Sequence, residues 1–160
     1  MKFSTKEDLE VPIWDVFDSL SDFDGFEKAA LRRGADVARV SEGGDSPVGM
    51  SWQVRARLRG KMRDLVVTLS EHDGPNQMLY DVTSSGIKAQ FLIELVALSR
   101  NRTRMRMELD VRPKTLPARL LMQSAKLARN TLNKRYKTRI SHFAEDLEDR
   151  HKRGQKPSLG

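Results

Sequence analysis

From residue 52 the chain alternates. Trp52, Val54, Ala56 and Leu58 share one parity, and Gln53, Arg55, Arg57 and Arg59 share the other. A period of two marks a strand with one buried face. Gly60-Lys61 predicts a tight turn, and "KMRDLVVTLSE" (61–71) continues with Leu65, Val67 and Leu69 on the apolar side. "QMLYDVTSSG" (77–86) aligns Met78, Tyr80 and Val82. "KAQFLIELVALS" (88–99) sets Phe91, Ile93, Leu95 and Ala97 against Leu92, Glu94, Val96 and Leu98. "RTRMRMELDVR" (102–112) opposes Met105, Met107, Leu109 and Val111 to Arg104, Arg106, Glu108 and Asp110. Weaker strands are predicted over 2–11 and 35–42, making seven. The turn signals between them have the spacing of an antiparallel meander, and the arginine rows fall on its outer face.

The ends of the chain change period. "VPIWDVFDSLSDFDGF" opens with Pro12, and Ile13, Phe17 and Leu20 follow helical spacing. A second short helix is predicted over "FEKAALRRG", stopped by Gly34. From 115–117 to about 150 a stripe of Leu121, Ala125, Ala128, Leu132, Tyr136, Ile140, Phe143 and Leu147 predicts one continuous helix, about 50 Å long at ~1.5 Å per residue. Lys126, Asn130, Lys134 and Lys137 fall on its other side. Residues 1–151 read as one domain, with 152–160 as a flexible basic tail.

Charge is unevenly distributed. Residues 1–51 carry −5, 52–111 carry +3 and 112–160 carry +9, for a net +7. Such asymmetry fits either a solvated helix face or an anionic partner. The outward arginines are not interleaved with the aromatic platforms of nucleic-acid binders, so nucleic acid is not the expected partner. An anionic membrane surface is one that Arg119, Lys126, Lys134 and Lys137 would suit. With no cysteine, disulfides, thiolate metal sites and cysteine nucleophiles are excluded. His72, His142 and His151 lack the spacing of metal ligands, no nucleotide-binding or serine-hydrolase motif occurs, and neither a metal nor a cofactor is expected. The polar N-terminus and the lack of a long apolar run make a cytoplasmic protein the expectation.

These segments resemble the START-like superfamily, also called SRPBCC, of polyketide cyclases, lipid-transfer domains and pathogenesis-related allergens. "VPIWDVFDSLSDFDGF" is similar to its opening helix, where a proline and an aromatic precede a "D-F/Y" turn. "VGMSWQVRARLRGKMRDLVVTLSEHDGPNQMLYDV" is similar to its glycine–strand–turn–strand–acidic-turn passage, and the long helix closes the match over about residues 2–150. The resemblance implies an α+β helix-grip fold, with a curved seven-stranded antiparallel sheet wrapped around the C-terminal helix and a cavity for an apolar ligand between them. It implies no particular chemistry, because the superfamily has no universal catalytic motif.

Small residues on the helix, Ser124, Ala125 and Ala128, would leave room opposite an apolar sheet face. The expected ligand-binding set is Trp52, Val54, Ala56, Tyr80, Phe91, Ile93, Met105, Met107 and Leu109, with Met122, Ala125 and Ala128 from the helix. The leading function is to bind, and so carry or sequester, a lipid, quinone, isoprenoid or aromatic. An alternative is a cyclase- or dehydratase-type enzyme. In that case Glu94 would face the cavity as general acid or base, or Tyr80 would orient the substrate. Glu94 has a competing place on the outer face, paired with Arg104 or Arg106.

Overall fold

The computed structural model describes residues 1–58 and 60–155. The strands are β1 (Lys2–Leu9), β2 (Asp36–Glu42), β3 (Met50–Leu58), β4 (Lys61–Asp73), β5 (Gln77–Ser84), β6 (Ile87–Ser99) and β7 (Arg102–Pro113). They form one antiparallel sheet in the order β1-β7-β6-β5-β4-β3-β2. Six strands form the expected meander, and β1 closes onto β7. Four helices cover one face: α1 (Ile13–Leu20), α2 (Phe23–Arg32), α3 (Leu116–Leu127) and α4 (Arg129–Gln155).

The helices depart from the expected pattern in two places. The opening helix ends at Leu20, and α2 starts at Phe23 because the Asp22 carboxylate caps it by accepting from Gly25 N at 3.1 Å. The terminal helix is two helices. Ala128, at φ −100° and ψ 16°, leaves the helical region between α3 and α4. No glycine or proline marks this break in the sequence, so apolar periodicity runs through it unchanged. α4 then continues to Gln155, so residues 152–155 are helical where a tail was expected. The rest of that tail, 156–160, and the predicted outward Arg59 lie outside the described residues.

Packing is tight at one end of the sheet. Leu9, Val11, Val16, Phe17, Leu69, Met78, Leu95, Met105, Ala144 and Leu147 form a closed core between α1, the C-terminal half of α4 and the sheet. α4 also lies along β1, and the Tyr136 hydroxyl ties it to the neighbouring β7 by donating to Met107 O at 2.7 Å. Partial burial raises the Tyr136 pKa to about 12, so the hydroxyl remains a donor at any ordinary pH. α3 starts where Thr115 caps it by accepting from Ala118 N at 3.3 Å. Lys114 N is bonded to Gly86 O at 2.7 Å, which ties that start to the β5–β6 turn.

Candidate functional site

Away from the closed core, the helices stand off the sheet. Cross-strand register brings inward side chains into rows: Trp52, Val67 and Val82 in one, and Tyr80, Phe91 and Leu109 in the next. Ile93 and Met107 form a third. Together with Val54 and Val37 they make the floor of a cavity of about 520 Å³. Its roof is Leu20 of α1, Phe23, Phe26, Glu27 and Ala30 of α2, and Ile140 and Phe143 of α4. The volume lies within the roughly 300–1,000 Å³ range of small-molecule sites. Rings account for much of the wall. Phe23 and Trp52 have centroids 5.7 Å apart, Trp52 and Tyr80 6.4 Å, and Phe26 stacks on Phe143 at 6.0 Å.

Polar groups are few. The Tyr80 hydroxyl bonds to no other described residue, and burial raises its pKa above the ordinary phenol value. It is a neutral phenol with its donor uncommitted. Glu27 is the only charged residue among the described residues lining the cavity. Its Oε1 accepts from Trp52 Nε1 at 2.9 Å and from Arg39 Nε at 2.7 Å. Arg39 also meets Asp24 at 2.6 Å and Glu42 at 3.1 Å, and Glu27 first, then Glu42 and Asp24, raise its pKa above the ordinary guanidinium value.

Of the residues expected to bind ligand, Trp52, Val54, Tyr80, Phe91, Ile93, Met107 and Leu109 line the cavity. Ala56 lies farther along β3, paired with Arg63, and is not in the wall. Met105 is fully buried in the closed core. The helical contribution differs from the expected one. Met122 and Ala125 are buried under α3 and Ala128 sits at the break, whereas the helical wall comes from Ile140 and Phe143, about four turns later. The α2 wall and Val37 are not among the expected residues. Phe23, Phe26 and Ala30 do show helical spacing, but the sequence does not say which face of the sheet such a helix covers.

Glu94 is turned outward. It sits opposite Arg106 in the β6–β7 register and pairs with that guanidinium on the outer face, so the cavity has no contribution from this carboxylate. Tyr80 alone of the two catalytic candidates reaches the cavity.

His72, expected in a turn, lies on β4, where a register shift between Leu69 and Glu71 changes the facing parity. Its ring packs on Phe17 at 4.7 Å, and Nε2 is 2.9 Å from Ser21 Oγ. Ser21 Oγ is also within hydrogen-bond reach of Phe17 O, at 2.9 Å. The pair joins β4 to the end of α1. No cluster of three or more metal-ligating side chains occurs among the described residues. Among them, no helix is long and apolar enough to cross a membrane.

No family model matches the chain, and no curated protein matches it in sequence. Solved structures do match in shape. A protein of Thermus thermophilus superposes with a TM-score of 0.68 at 12% identity, over 92% of this chain and 97% of that one. The Zhui aromatase/cyclase of Streptomyces sp. R1128 gives 0.65 at 13% identity, over 100% and 98%. A START superfamily protein of Mycobacterium smegmatis gives 0.58 at 13%, over 84% and 95%. At such identities the likeness is one of fold, and the fold is the START-like helix grip.

Proposed function

We propose that this START-like helix-grip chain binds one apolar small molecule between its sheet and helices α2 and α4. The observation that carries the reading is the cavity of about 520 Å³, walled by aliphatic and aromatic side chains with Tyr80 and Glu27 as its polar groups. The same fold in a START superfamily protein and in an aromatase/cyclase supports it. A lipid, quinone, isoprenoid or aromatic meets the requirement. Burying ~400 Å² of apolar ligand surface is worth ~10 kcal/mol, and an association cost of about 4 kcal/mol leaves ~6 kcal/mol, or binding in the tens of micromolar. A cytoplasmic setting belongs to this reading, in keeping with a sequence that uses no cysteine.

Native mass spectrometry of freshly purified protein is expected to show an apolar adduct. N-phenyl-1-naphthylamine is expected to gain fluorescence on binding, and Val67→Phe, which fills the cavity, to abolish that gain while the fold melts cooperatively. Apo mass only, with no response to the probe, overturns the reading. Cyclase-type chemistry is the weaker alternative, because Glu94 is committed to Arg106 and only Tyr80 is left to act.

For the helical face we propose docking to an anionic lipid surface. Residues 112–144 hold nine Lys and Arg and no Asp or Glu. α3 buries Ala118, Met122 and Ala125 on one side and exposes Leu116, Leu120 and Leu127 on the other, at 69%, 59% and 92%. Arg119 and Lys126 run along one side of that leucine ridge, an arrangement that suits an interfacial helix. Sedimentation with anionic but not zwitterionic vesicles is the expected result. Equal behaviour toward both, or a concentration-dependent dimer that hides the leucines, overturns it.

A further inference from the structure

We infer that the cavity selects uncharged ligands and rejects anionic ones of the same shape, with Glu27 as the specificity-determining residue. This rests on the cavity being a ligand site. The warrant is electrostatic. An anionic ligand needs a cation or several free donors where its charge comes to rest. Glu27 is the only charged residue among the described residues lining the cavity, and it carries the wrong sign.

The nearest candidate cation is already occupied. Arg39 has all three guanidinium nitrogens engaged: Nε with Glu27, Nη1 with Glu42 and Nη2 with Asp24. Three carboxylates around one guanidinium leave two negative charges in excess beside the cavity. Trp52 Nε1 is likewise taken by Glu27. The remaining donor is the Tyr80 hydroxyl, which suits a neutral acceptor such as a carbonyl, ether or hydroxyl oxygen. A single phenol does not replace the hydration shell of a carboxylate or sulfonate. Like-charge placement of this kind excludes competitors more than it strengthens the right ligand.

Two probes with one aromatic skeleton test the inference: N-phenyl-1-naphthylamine, which is neutral, and 8-anilino-1-naphthalenesulfonate, which is its sulfonated form. The affinity of the sulfonate is read as its power to displace the bound neutral probe, so that adsorption on the basic helical face does not count. The neutral probe is expected to bind about tenfold more tightly or better. Glu27→Gln keeps an acceptor for Trp52 and Arg39 and is expected to narrow the gap by raising sulfonate affinity. Asp24→Asn, at an exposed position, is expected to act in the same direction more weakly. A sulfonate that displaces the neutral probe with equal or greater affinity from the unmodified protein overturns charge selection, and a ratio unchanged in Glu27→Gln overturns the role of Glu27. If the neutral probe does not bind, the ligand-site reading fails, and this inference fails with it.

Discussion

Two surfaces of this molecule are rich in cations, and they differ in how those cations are used. On the outer face of the sheet, arginines meet acids both across strands and along β7. Arg104 pairs with Asp8 at 2.8 Å, Arg102 with Asp8 and Glu10, Arg106 with Glu94 and Glu108, and Arg112 with Asp110. The acid-rich N-terminal segment supplies β1, which lies against the arginines of β7 in a register that places Asp8 opposite Arg104. On the helical face, Arg119, Lys126, Lys134 and Lys137 make no ion pair among the described residues. The lesson is that a count of basic residues says little about available charge. On β7 the charge is neutralised by neighbouring acids, and on the helices it faces solvent.

The contrast can be tested from its strongest effect to its weakest. The helices have an anchored side and a free side, so the largest difference is expected there. Leu147→Ala, at a site 1% exposed, should cost about 2–5 kcal/mol in urea denaturation. The same truncation at Leu127, 92% exposed, should stay within about 0.5 kcal/mol while weakening vesicle binding. Next, reversing Arg119 and Lys126 to glutamate should lower affinity for anionic vesicles by about 30-fold or more, at ~1 kcal/mol per charge removed. Arg104→Glu on the sheet should leave vesicle binding unchanged, and equal loss from both faces would erase the distinction. Smaller still, Arg106→Met should change stability by about 1 kcal/mol or less, and the difference should shrink in about 1 M salt.

The smallest effect concerns a base that folding keeps uncharged. Burial lowers the pKa of His72, so the unfolded chain takes up a proton near pH ~6.5 before the folded one does. Stability is therefore unaffected by this group above that value and declines as pH falls from ~6.5 toward the lower folded pKa. His72→Gln should flatten the fall in melting temperature between about pH 7 and pH 5. An unchanged slope would assign the acid sensitivity to other groups.

Much of the sheet is legible in the sequence. The strand from Met50 and the one ending at Pro113 alternate so cleanly that their inward residues follow from parity, and seven of the residues named on that basis lie in the cavity wall. Parity also leaves open that Glu94 sits outside, where the structure has it. The helical side is less legible. Ala125 and Ala128 resemble a roof because they are small and in phase with the stripe, yet a break without glycine or proline separates them from the part of the helix over the cavity. His72 escapes the pattern for a similar reason, since a bulge of one residue inverts parity and leaves no compositional mark.

What the sequence settled by itself was local: which segments extend, which coil, and which side of each is apolar, because periods of two and 3.6 are imposed by backbone geometry. What only the tertiary structure decided was which apolar sides meet and which acid lies beside which arginine. Phe23 comes to rest on Trp52, Glu27 bridges Trp52 and Arg39, and α2 forms part of the cavity roof. Those outcomes depend on register and on helix packing between residues far apart in the chain, and no local period encodes them.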